Sequence, residues 1–350
     1  MKQYSHTQIM LSFAYISYYG FALRDAEPQR AERIAEEIRR ALKTWLAVKD
    51  QQWELVWGPG LAALKDDVYD DNMPFVARKG DEPNTYVIAT RGTNPISLRD
   101  WVIEDFDVGT QVDWAYGSPP PGSKPRISQA ASIGLNHLLD MRPASTVPGA
   151  GTTLAEFLTE RCADGAGKEM KVCVTGHSLG GALAPTLARY LVDELAPKLA
   201  GQLDVSYVAF AGPTAGNADY AAYSAARLPA GPHPRVAHSL DIVPHVWTTR
   251  SILGLFGIYA RHWLVPGPLI ALAIAGVSLY SLGKGYTQVQ AAAPPVPGKY
   301  RRVLYNYLLQ AIDQHAYGYP RMLDMSSPEE IPVTELFVDQ IVDPELTHES

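Results

Sequence analysis

A serine set between two glycines has the clearest chemical use in this sequence. Ser178 lies inside Gly176-His177-Ser178-Leu179-Gly180, within the stretch MKVCVTGHSLGGALA from Met170 to Ala184. A serine hydroxyl is a poor nucleophile at neutral pH and needs a base to take its proton as it attacks a carbonyl. Histidine suits that role because its pKa lies near the working pH. A carboxylate must then fix the tautomer of the ring and stabilise the imidazolium that forms. The negative oxygen of the tetrahedral intermediate needs amide N–H groups to hold it. One histidine, one carboxylate and two donors are therefore the groups to find.

The local pattern predicts how Ser178 is presented. Val172, Cys173 and Val174 form a short apolar run that reads as a buried strand. Leu179, Leu183 and Leu187 recur at helical spacing directly afterwards. Strand, sharp turn and helix make Gly176–Gly180 a nucleophile elbow, which lifts the hydroxyl above a sheet. Leu179, just after the serine, then supplies one amide donor. The second should come from the loop after an earlier strand, and Arg91-Gly92-Thr93 after Tyr86–Thr90 fits, which nominates Thr93.

The rest of the chain alternates in the same way. Strands are predicted at Phe75–Arg78, Tyr86–Thr90, Phe106–Val112, Val205–Phe210 and Arg235–Ser239. Helices are predicted at Thr7–Tyr19, Arg30–Lys49, Ile127–Asp140, Thr152–Cys162 and Asn217–Leu228. This order argues for a mostly parallel sheet with helices on both faces. The ligand crevice of such a sheet lies beyond the carboxyl ends of its strands. Asp241 closely follows a strand and so lies at that edge, whereas Asp204 precedes its strand. Asp219 is the rival, several residues beyond a strand.

In α/β-hydrolases the chain order is nucleophile, acid, histidine, which leaves His245, His262, His315 and His348. His245 is four residues from the acid on the same turn, and His348 sits in an acidic tail. His262 falls in an apolar insertion, where a buried structural role is expected. His315 follows the helix-like Arg301–Ile312 and precedes Gly318-Tyr319-Pro320, a loop position, and is the candidate base. His177 is adjacent to the nucleophile on a sharp turn and should point into the structure.

Gly176-His177-Ser178-Leu179-Gly180-Gly181 resembles the nucleophile motif of the class 3 lipases, the group of the fungal triacylglycerol lipases. Ala89-Thr-Arg-Gly-Thr-Asn94 and Ser239-Leu-Asp-Ile-Val-Pro244 fit the same family. The resemblance runs from about Phe75 to Val246, with a piece near His315. It implies an α/β-hydrolase fold and Asp241 as the catalytic acid. It also implies a histidine near the C-terminus and a Thr93 that gives both amide and hydroxyl to the oxyanion. Trp101 is similar to a lid tryptophan, and Glu104 and Asp105 are both available for the acidic residue that follows it. The usual His-x-Gly-Phe segment is missing, with Arg126-Ile127-Ser128-Gln129 in its place.

The expected function is carboxylic ester hydrolysis, with triacylglycerol as the first substrate class. A phospholipase A1 or a soluble short-chain esterase would keep the same chemistry. A catalytically inactive, membrane-associated binding protein is the rival from another class, and the full set of catalytic residues argues against it.

Composition narrows the partners. The chain has 350 residues and a formal net charge of −7, with no basic cluster, which argues against nucleic acid. Cys162 and Cys173 give no disulfide framework, no metal-ligand spacing is present, and no cofactor is expected. Length fits a single α/β-hydrolase domain over 1–350. The first residues after Lys2 lack the clean apolar run of a secretory signal. Either the chain stays inside the cell or a signal has been removed, so location is undetermined. Residues 247–290 read as an apolar lid or cap inserted between acid and base. Their longest uninterrupted apolar piece, Leu269–Leu282, has 14 residues, short of the ~20 that span a bilayer. Transient contact with a lipid–water interface is expected instead, with Leu269 and Leu272 meeting the substrate.

Overall fold

The structure is a computed structural model that describes residues 2–23, 25–61, 72–92, 109–165, 168–228, 234–290 and 295–339. Six strands form the central sheet: β1 (Trp53–Trp57), β2 (Pro74–Lys79), β3 (Thr85–Thr90), β6 (Met170–His177), β7 (Leu203–Phe210) and β8 (Arg235–Val236). Their order is β1-β2-β3-β6-β7-β8. The β3, β6, β7 and β8 strands run parallel, while β1 and β2 add an antiparallel flank. Two short strands, β4 (Gln111–Asp113) and β5 (Arg126–Ser128), pair with each other outside it.

Parallel strands covered on both faces read as continuous apolar runs, and side chains still alternate between the two faces. In β6, Val172 and Val174 join one core while Cys173 joins the other. Tyr86 and Ile88 of β3 likewise face the first core, and Val87 and Ala89 the second. The first core is closed by helices Gln129–Asp140, Leu154–Asp164 and Leu179–Tyr190. Helices His6–Ile16 and Gln29–Thr44 cover the second, burying Ile34, Ile38 and Leu42. Glu37 of the second helix is buried and paired with Arg40.

The structure adds β1, which is not among the strands predicted from the sequence. Its signal is the alternation of buried Trp53, Leu55 and Trp57. The strand expected through Ser239 is only Arg235–Val236 long, and the helix expected at Arg301–Ile312 runs from Tyr307 to Ala316. The segments around Asp66–Asp71 and Trp101–Phe106 lie outside the described residues.

Residues 247–290 hold the short helix Thr249–Gly254, two 3-10 turns and the helix Pro268–Ser281. Pro268 begins that helix at a position where its missing N–H is no loss. Ile274, Ser278 and Ser281 turn inward. Leu269, Leu272 and Leu279 are 81%, 71% and 72% exposed. An apolar helix with its large side chains in water is not a core element. Among the described residues no helix is long and apolar enough to cross a membrane.

At the elbow, the helix lies so close to the sheet that only glycine fits. A Cβ on Gly180 would meet the Thr90 carbonyl, and one on Gly181 the Phe210 carbonyl. Both obstacles are backbone, so neither can swing aside. Gly180→Ala should therefore destabilise the fold by ~1–3 kcal/mol and shift the elbow. A thermal melt of the variant reads this, and an unchanged Tm would mean the helix can slide away from the sheet freely.

Candidate active site

Ser178 sits where β6 ends and the helix Leu179–Tyr190 begins. Its backbone has φ 61° and ψ −127°, a strained conformation for a residue with a Cβ. The strain is held by its surroundings: Ser178 N–H donates to the Phe210 carbonyl at 3.0 Å. Gly92 packs directly against His177 and Ser178, leaving no room for a side chain of its own. Leu179 is the first residue of the helix, where N–H groups have no partner within the helix.

Asp241 and His315 come from segments 74 residues apart and meet in the interior. The His315 Nδ1 lies 3.0 Å and 3.1 Å from the two Asp241 oxygens, and both side chains are fully buried. Tyr319 donates its hydroxyl to Asp241 Oδ2 at 2.7 Å, and Val243 N–H donates to Oδ1 at 3.0 Å. Burial by itself would raise the pKa of Asp241. The adjoining His315 ring and its hydrogen bond, then His238 and the Tyr319 hydroxyl, outweigh it and hold the carboxyl below its usual range. An ionised Asp241 makes His315 Nδ1 the donor, which leaves Nε2 as the acceptor. That Nε2 atom is buried and has no hydrogen-bond partner. A buried acceptor left unpaired is unfavourable by ~1–3 kcal/mol, and it is the atom that a general base must keep open.

A family model described as "Lipase (class 3)" matches residues 87–251, which takes in Ser178 and Asp241. The crystal structure of M37 lipase is 40% identical in sequence, covers 97% of each chain and superposes with a TM-score of 0.90. This chain belongs to the class 3 lipases. A triacylglycerol lipase of Arabidopsis thaliana is 27% identical over 195 residues. That match takes in 48% of this chain but only 35% of the plant protein, so the chain spans about a third of that relative's length.

In this lipase the helix that carries His315 is anchored by groups the sequence did not reveal. The last four carbonyls of a helix have no partner within it. Here Asp313 O accepts from Tyr317 N–H, and Gln314 O accepts from His238 Nε2 at 2.7 Å. The His315 carbonyl accepts from His177 Nε2 at 3.0 Å, and Ala316 O from the Tyr15 hydroxyl at 2.8 Å. Tyr18 hydroxyl sits 2.9 Å from the other nitrogen of His177. The expectation that His177 turns into the structure holds. His315 itself is in the last turn of Tyr307–Ala316, not in a loop.

These anchoring imidazoles tie stability to pH. Burial lowers the pKa of His177 and of His238 below 6.5. Below pH 6.5 the unfolded chain therefore binds protons that the native state refuses, and stability falls as pH falls. The depressed carboxyl of Asp241 acts in the same direction, from pH 3.8 downward. His238→Gln keeps a donor for the Gln314 carbonyl but cannot titrate. Denaturant unfolding between pH 7.5 and 5 should show a slope shallower by ~1.4 kcal/mol per pH unit than wild type. Parallel slopes would show that His238 is charged in the native state.

The remaining candidates divide cleanly. Thr93, Trp101, Glu104, Asp105 and His348 lie outside the described residues. Asp219 accepts from Lys124 N–H at 2.7 Å on the surface, and Asp204 is exposed at the far end of its strand. His262 was expected to be buried; it is exposed and stacks on Tyr300 with centroids 3.8 Å apart. A turn broken by Trp263 carries it outward. Leu269 and Leu272 face solvent rather than a cleft. Burial pushes the Cys173 thiol up to about 12, so it is an inert core residue. Among the described residues no cluster of His, Cys, Asp or Glu could hold a metal ion.

Proposed function

We propose that this lipase hydrolyses the ester bonds of acylglycerols, with Ser178 as nucleophile, His315 as base and Asp241 as its orienting acid. The observation that carries the reading is the buried Asp241–His315 pair with its open Nε2. As Ser178 Oγ bonds to the ester carbonyl carbon, His315 Nε2 takes its proton. Leu179 N–H and Thr93 hold the resulting oxyanion. Collapse expels the alcohol, which takes the proton back from His315, and leaves an acyl group on Ser178. Water then repeats the sequence and releases the carboxylate. Release of fatty acid from triacylglycerol and from phosphatidylcholine, followed side by side in a pH-stat, tests the substrate class. Triacylglycerol should be cleaved faster, and a reversal would make the chain a phospholipase A1.

Residues 247–290 act as a lid in this reading. Ser178 is only 3% exposed, and in this reading the lid shifts to admit the substrate. Trp263, at 96% exposed, and the outward leucines of Pro268–Ser281 offer a lipid surface something to hold. Each buried leucine contributes ~1.5–3 kcal/mol when it leaves water. Leu269→Asp with Leu272→Asp should lower hydrolysis of an emulsified long-chain ester by 10-fold or more. Hydrolysis of a dissolved short-chain ester should stay within about two-fold. An equal loss on both substrates would mean that the helix supports the reaction centre in general and has no interfacial role.

A further inference from the structure

Beyond the reaction centre, a cavity of about 230 Å³ lies behind the Asp241 loop, lined by Arg235, His238, His245, Thr248, Ser251 and Gln288 among others. Arg235 is its only cation among the described lining residues. Its Nη2 donates to the Pro244 carbonyl at 3.3 Å, while its buried Nε donates to nothing. Asp241 is the acid whose charge reaches it, but the oxygens of Asp241 already serve His315, Tyr319 and Val243. A guanidinium does not give up its proton in a protein. Arg235 is half-buried, and a positive charge drawn partly out of water without an ion pair leaves part of its solvation unreplaced.

We propose that this cavity is a binding site for a small monocarboxylate, held by the guanidinium of Arg235. The charge count selects a monoanion. Burial lowers the pKa of His245, so it is neutral at pH 7, and both ring nitrogens of His238 are taken, by Gln314 O and Leu240 N–H. A phosphate dianion would bring a second negative charge with no partner. Thr248 and Ser251 supply hydroxyls, and Ala237, Pro244, Tyr286 and Pro295 supply carbon walls for a short alkyl chain. The volume falls under the ~300 Å³ where pockets for drug-sized ligands begin, which keeps the ligand short. The site is independent of the Ser178 assignment and stands or falls apart from it.

Isothermal titration of the folded chain with butyrate tests the site, with butyramide as the uncharged control. Wild type should bind butyrate one-to-one and ignore butyramide. Arg235→Met should weaken binding by ~10-fold or more, the usual loss for a charge-assisted hydrogen bond. Ser251→Phe fills the cavity without touching the cation, and should abolish binding while the circular dichroism spectrum stays that of the folded chain. It decides the question if Arg235→Met fails to fold. No saturable binding to wild type, or the same affinity in Ser251→Phe, would overturn the proposal, the second by placing butyrate at the reaction centre.

Discussion

Ser178→Ala should lower kcat by ~10⁶-fold, with KM and thermal stability nearly unchanged. The loss is large because the covalent route ends when Oγ is removed, leaving only direct attack by water within the site. Stability should hold because alanine at φ 61° meets the same Cβ strain as serine does. The Ser178 N–H bond to Phe210 O is backbone and survives the change. Steady-state kinetics on a p-nitrophenyl ester, with a melt alongside, reads both. A residual rate within 100-fold of wild type would remove Ser178 from the chemistry.

The second large effect concerns the pair behind it. His315→Gln should cost as much as Ser178→Ala, because the members of a triad act as a unit and their losses do not add. Glutamine retains a donor toward Asp241, so the carboxylate is not left alone in the interior, which would destabilise the fold by ~3–5 kcal/mol. Asp241→Asn should lower kcat by ~10⁴-fold, since an amide facing Nδ1 turns the ring to the tautomer whose Nε2 already carries a proton. Ser178→Ala combined with Asp241→Asn should be no slower than Ser178→Ala alone. Multiplicative losses would mean that Asp241 acts on the fold and not through His315.

The reaction centre was more legible in the sequence than its supports were. Gly176–Gly180 is local: the strand before it and the helix after it follow from 15 contiguous residues. Asp241 could be ranked because residues just after parallel strands share one edge, and His315 because so few histidines follow it. The anchors were hidden for the opposite reason. Tyr15 and His177 reach a helix 301 and 138 residues away, and Tyr18 reaches His177 across 159 residues, and nothing in local periodicity reports such contacts. His315 reads as a loop residue because Gly318-Tyr319-Pro320 follows closely, yet side chains from elsewhere satisfy carbonyls of that last turn and let the helix continue to Ala316. The exposed face of Pro268–Ser281 shows a further limit. An apolar run says that a surface avoids water, and only the tertiary structure says whether it has succeeded.

The central claim is that one serine becomes acylated, and mass spectrometry of the chain after reaction with a p-nitrophenyl alkylphosphonate tests it most directly. A single adduct should form, map to the peptide containing Gly176–Gly180, and fragment to place the phosphorus on Ser178. Its rate should follow the loss of ester hydrolysis, and it should be absent from Ser178→Ala. Complete inactivation with the adduct on any other residue would contradict the account.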